Sequence, residues 1–166
     1  MSAKLTLEPV GPDNWRDALD IEAHGRHEPR FVASTAYSIA QAYADVVARE
    51  RGEPSYSRKP YLAVSDGEPV GFVLIGCDLD EPAARIFRMM VDRRHQGKGL
   101  GRALLLATLE HMRRDYPGRA VRLIYDPENT RAERLYASLG FQKAGLSDEG
   151  NVIAVLPASR SEARVA

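Results

Sequence analysis

The chain of 166 residues holds a single cysteine, Cys77, so no internal disulfide framework can staple it. Aromatic residues are sparse, at 7%, with one tryptophan among them. No run approaches the roughly 18 consecutive apolar residues of a membrane span. The opening MSAKLTLEPV has no apolar signal-peptide core. An excess of charge is missing too: Lys and Arg number 23, Asp and Glu number 23, and the pI is near 6.9. That balance argues against a general nucleic-acid partner or a membrane-surface role. The four histidines (His24, His27, His95, His111) show no HExxH or comparable spacing, so no metal is expected. These absences fit a cytoplasmic protein held together by its own core. A chain of this size buries roughly 70% of its extended surface without staples. Its length, with no internal repeat and no linker, predicts one domain over residues 1–158 and a polar, frayed tail over 159–166.

What the sequence does have is a basic, glycine-rich turn inside VDRRHQGKGLGRALLL, residues 91–106. An apolar strand feeds this turn, and a helix leaves it. Gly97, Gly99 and Gly101 lack a Cβ, which lets the backbone crowd a ligand. The first N–H groups of the helix have no intrahelical acceptor and lie at its positive end, a ready cradle for phosphate or pyrophosphate. Arg93, Arg94, Lys98 and Arg102 add positive charge. A Walker loop is excluded because Gly99, not Ser or Thr, follows Lys98, and a dinucleotide fingerprint is excluded because Arg102 replaces its last glycine. A merely tight strand-to-helix turn stays open at this point.

In chain order, residues 5–10 alternate as a first strand, and Asp13 or Asn14 caps a helix with Trp15, Ala18 and Leu19 on one face. Residues 23–30 form a loop. Ser34 or Ser38 starts a second helix, on which Ile39, Tyr43, Val46 and Val47 recur at helical spacing and are expected in the core. Residues 61–64 and 70–75 form a hairpin turning at Asp66-Gly67, and 85–91 extend it into an antiparallel meander. After the glycine turn, Leu104, Leu105, Thr108, Leu109, Met112 and Tyr116 mark an amphipathic helix stopped by Pro117-Gly118. Residues 121–125 read as a central strand parallel to its predecessor. A short helix follows, opened by a Thr130-x-x-Glu133 capping box and closed at Gly140, and two strands finish the sheet.

Gln96-x-x-Gly99-x-Gly101 resembles the coenzyme A loop of the GNAT superfamily of N-acetyltransferases. Asn129-x-x-Ala132-x-x-x-Tyr136-x-x-x-Gly140-Phe141 resembles a second segment of that family, and the order of elements matches as well. The implied fold is α/β (α+β), with a mixed, mostly antiparallel sheet, a splayed central strand pair and flanking helices. A narrower resemblance, to bacterial spermine/spermidine (diamine) acetyltransferases, rests on Phe31-Val32-Ala33-Ser34, Ser38-Ile39-Ala40, Val70-Gly71-Phe72 and Arg88-Met89-Met90-Val91-Asp92. This chain departs from that subgroup by holding Glu28 in place of a glutamine and Asn151 in place of a late glutamate.

The resemblance implies acetyl-CoA as co-substrate and a primary amine of a small molecule, a polyamine or diamine, as acceptor. Its pyrophosphate would lie on the backbone of Gln96, Gly97, Lys98, Gly99, Leu100, Gly101 and Arg102. Its pantetheine would pair with the backbone of Met89 and Val91, and a β-bulge there would splay the strands. Asn129 would hold the pantetheine or a water, and Tyr136 would protonate the departing thiolate. Glu28 would help to hold a polycation, and His95 would contact phosphate. Glu28, Asp92, Asp126 and Glu128 are all conceivable general bases. Cys77 reads as inert packing, so transfer is expected to be direct. An aminoglycoside, amino acid or protein N-terminus as acceptor, a non-catalytic acyl-CoA sensor, and a homodimer remain open alternatives.

Overall fold

A computed structural model describes residues 5–24, 31–77 and 83–158, so Glu28, His27 and the 159–166 tail lie outside the described residues. Short turns dictate most of the sheet. β1 (Leu5–Pro9) pairs antiparallel with β2 (Lys59–Ser65), which turns at Asp66-Gly67, both with positive φ, into β3 (Glu68–Cys77). β3 pairs antiparallel with β4 (Ala84–Val91), completing the expected meander. β5 (Val121–Tyr125) lies parallel to β4, as its apolar run implies. β7 (Val152–Leu156) inserts between β5 and β6 (Gln142–Leu146), giving the order β1-β2-β3-β4-β5-β7-β6.

Two helical layers cover the sheet. α1 (Trp15–Leu19) and α2 (Thr35–Glu50) pack on one face, where Ala18, Ile21 and Ala42 meet Leu62, Phe72, Leu74 and Met90. α3 (Leu100–Asp115) and α4 (Thr130–Ser138) cover the other, where Leu104, Leu105, Leu109 and Met112 meet Val73, Ile75, Ile86 and Leu123.

Several local expectations need correction. Tyr43 and Val46 are exposed, at 70% and 41%, and Thr35, Ser38, Ala42 and Asp45 form the buried stripe of α2 instead. Polar side chains can turn inward there because they find partners: Ser38 Oγ donates to the Ser34 carbonyl at 2.9 Å, and Asp45 pairs with Arg58 at 2.7 Å. Trp15 and Leu19 are likewise largely exposed, with only Ala18 of that trio buried. Ser34, not Ser38, caps α2 by accepting from the Tyr37 N–H. The capping box at Thr130 does not form: Asn129 Oδ1 caps α4 through the Ala132 N–H at 3.1 Å, and Glu133 is ion-paired with Lys143.

Candidate active site

The site begins with a defect in the sheet. Leu74 lies opposite Arg88 and Ile75 opposite Ile86, so Phe87 is an extra residue bulged out of β4. β4 pairs with β5 only from Ala84 to Ile86, and beyond the bulge the two strands part. Peptide groups on that edge of Phe87 to Val91 therefore have no strand partner, and a slot opens through the sheet. The bulge also resets side-chain parity. Ile86 and Met89 face α3, whereas Phe87, Arg88 and Met90 face α2.

A cavity of about 750 Å³ occupies this gap and is lined from both faces. From the α3 and α4 side come Gln96, Gly97, Gly99 to Arg102, Asn129 and Tyr136, and from the other come Ala23, Val32, Phe87 and Arg88. Met89 and Val91 line it as well, so the residues expected to hold the cofactor converge here with two exceptions. Lys98 is not among the lining residues, nor is His95.

The glycine turn is not a direct step from strand to helix. A single 3-10 turn, Arg93–His95, intervenes, and it is fixed by Asp92. The Asp92 carboxylate is 1% exposed and accepts from the Glu22 N–H, the Arg94 N–H and the Arg94 guanidinium. Burial alone would raise its pKa, but those hydrogen bonds hold it below the usual carboxylate range. An anion so fully engaged anchors the loop, and it does not line the cavity. Arg94 is neutralised by the same contact, and Arg93 lies 3.4 Å from Glu22. Gln96 Nε2 donates to the carbonyls of Ala23 and Val91, tying the turn back to both neighbours. Gly97 and Gly99 each adopt φ of 77°, which aims their peptide groups in a way that side chains resist. The N–H groups opening α3 have no side-chain cap from Gly99 and no intrahelical acceptor. Arg102 reaches toward α4, donating to Ser138 Oγ at 2.9 Å.

Tyr136 sits on α4 with its ring 5.5 Å from Tyr125 and 5.8 Å from Phe141. Burial, reinforced by Tyr125, pushes its hydroxyl up to about 12, so it enters any reaction as the protonated phenol. Of the conceivable bases, Asp126 lines the cavity, but its Oδ1 already accepts from the Glu128 N–H at 2.8 Å, and Glu128 does not line it. Four polar residues at the cavity carried no assigned role in the sequence reading: His24, Arg88, Arg131 and Glu149. Only the bulge could have revealed Arg88, because regular alternation would send it to the other face. Among the described residues, no cluster of His, Cys, Asp or Glu is close enough to hold a metal ion. No helix among them is long and apolar enough to cross a membrane.

Residues 16–141 match the Acetyltransferase (GNAT) family. The chain belongs to that family. As a GNAT protein it is 29% identical over 150 residues to a spermine/spermidine N(1)-acetyltransferase of Bacillus subtilis, covering 87% of this chain and 91% of that one. It is 37% identical over 101 residues to the N-acetylaspartate synthetase of Rattus norvegicus, over 58% of this chain and 33% of the relative. Its fold superposes on yncA, a putative acetyltransferase from Salmonella typhimurium solved with acetyl-CoA, at a TM-score of 0.68 and 19% identity, covering 95% and 96% of the two chains. The GNAT fold of this chain, its sheet and its splayed strands agree with the expectation from sequence.

Proposed function

We propose that this GNAT protein transfers the acetyl group of acetyl-CoA directly to a primary amine of a small molecule. The observation that carries the reading is the cavity through the sheet, which brings the glycine loop, the unpaired edge of β4 and Tyr136 together. In this reading the N–H groups of residues 96–102 hold the pyrophosphate, and the β4 edge at Met89 and Val91 pairs with the pantetheine. An N–H on that edge stabilises the oxyanion as the amine attacks the thioester. Tyr136 donates its proton toward the departing sulfur. Asn129, spent on capping α4 through its Oδ1, keeps its amide nitrogen for the pantetheine or a water.

The Bacillus subtilis relative supports a polyamine or diamine as acceptor, and Asp126 and Glu149 at the cavity are available to hold an ammonium. A single domain over 1–158 and a cytoplasmic location belong to the same proposal. The test is a screen of primary amines with acetyl-CoA, read by release of free thiol. Amine-dependent release supports acetyl transfer. Tight acetyl-CoA binding without release, for any amine, would leave an acyl-CoA sensor as the better reading.

A further inference from the structure

Arg88 is a charge at the cavity that the acetyl-transfer chemistry leaves unused. The cation that acts on it, Arg58, is neutralised: it grips Asp45 through Nε and a terminal nitrogen, both at 2.7 Å. Arg88 has no such anion among the described residues. Its guanidinium donates to Gln41 Oε1 at 2.6 Å and lies 5.2 Å from the centre of the Tyr37 ring, both neutral groups. Burial lowers its pKa, the sign of a cation short of solvation. An unpaired, partly buried cation costs free energy unless something compensates it. Gln41 and Tyr37 orient the planar fork, and among the described residues no carboxylate pairs with it.

Position supplies the second argument. The bulge at Phe87 turns Arg88 away from the glycine loop and onto the α2 face of the slot. The acyl donor enters from the α3 face in the reading above, so the α2 face is where the acceptor must wait. A polycation brought there would meet like charge. An amine carrying an anion would meet its complement, and a guanidinium fork matches a carboxylate in shape as well as sign.

We propose that Arg88 binds a carboxylate of the acceptor, so that the amine acetylated by this chain is an amino acid or a close analogue of one. The proposal rests on the amine-acetylation reading but replaces its polyamine or diamine acceptor with an amine that carries a carboxylate. The test compares amines that differ by one carboxylate: lysine with 1,5-diaminopentane, and ornithine with 1,4-diaminobutane, in the intact protein. Hydrogen bonds to a charged group are worth enough that wild type should prefer the amino acid of each pair by about 10–100-fold in kcat/KM, chiefly through KM. Arg88→Gln should erase that preference, Arg88→Lys should keep part of it, and neither should change the dissociation constant of acetyl-CoA. Equal or greater turnover of the diamines by wild type would overturn the inference while leaving acetyl transfer intact. So would an Arg88→Gln protein that binds acetyl-CoA normally and keeps the preference. No thiol release with any amine would overturn the acetyl-transfer reading, and this inference with it.

Discussion

At the scale of single residues, the Tyr136 hydroxyl is set to give a hydrogen bond and to hold its proton. Its pKa of about 12 lies well above that of a thiol, so it is a reluctant acid in the resting enzyme. It becomes useful only as charge gathers on sulfur, and that is the condition for catalysis rather than binding. Tyr136→Phe keeps the ring between Tyr125 and Phe141, so stability and CoA affinity should change little. The chemical step should slow by roughly 10²–10⁴, seen equally in kcat and kcat/KM. Turnover within a factor of about three of wild type would retire Tyr136 from the mechanism. The pH dependence has a definite sign. A phenol raised from 10 to about 12 on folding binds its proton more tightly when native, so its stabilising contribution is complete below pH 10 and lost between 10 and 12. Tyr116, raised as far by burial, shares that window. Alkaline unfolding should therefore be less steep in Tyr136→Phe than in wild type, but not abolished.

Elements are where the sequence was legible and where it misled. Period and turn chemistry located the strands and helices, because burial of an apolar face and the φ > 0 demand of tight turns act locally. They failed on α2, whose inward stripe is polar. Asp45 stays buried only because Arg58, eight residues past the helix end on the approach to β2, reaches it with two donors and its own N–H. Such pairing is invisible to a hydrophobic count. Both side chains are mostly buried, at 5% and 14% exposure. Asp45→Ala strands the guanidinium and should cost about 3–5 kcal/mol, read from the urea midpoint at constant slope. A loss under about 1 kcal/mol would show that water reaches Arg58 easily. The conformation of the glycine loop was legible for the opposite reason: Gly97 and Gly99 both take a φ of 77°, which glycine adopts at little cost. A Cβ on Gly99 would meet nothing within 4 Å, so Gly99→Val strains the free protein mainly through its φ of 77°. That strain is worth about 1–2 kcal/mol. Gly52, with φ of 72° and the same open surroundings at the end of α2, is the matched control. Both variants should melt lower by similar amounts, yet only Gly99→Val should raise the dissociation constant for CoA more than about 10-fold by calorimetry, the loss of one or two charge-assisted hydrogen bonds. Equal affinity in the two variants would remove the anion cradle.

For the molecule as a whole, the decisive feature is that the cavity pierces the sheet. The family resemblance implied that the strands would part, but not which face each lining side chain would take, since that depends on a single bulged residue. On the proposed reading, a slot lined from both faces lets donor and acceptor approach from opposite sides and meet at the β4 edge, with no need for the protein to carry the acetyl group between them. Cys77, the sole cysteine, lies outside this path. It ends β3, pairs with Ala84 at the start of β4 before the strands part, and is 8% exposed. Its surroundings are structural: Ser57 Oγ donates to the Cys77 carbonyl at 2.8 Å and accepts from the Cys77 N–H at 3.2 Å. It does not line the cavity. The acetyl group should therefore pass in a ternary complex. Initial rates with both substrates varied should give intersecting reciprocal plots, and Cys77→Ala should retain most of kcat because those backbone hydrogen bonds survive the change. An acyl-enzyme demands the reverse pattern: parallel plots, a burst of thiol before any amine is added, and an acetylated Cys77 peptide in the mass spectrum. Those three results together would mean that the slot serves only to admit the donor, with the acceptor arriving after CoA has left by the same door.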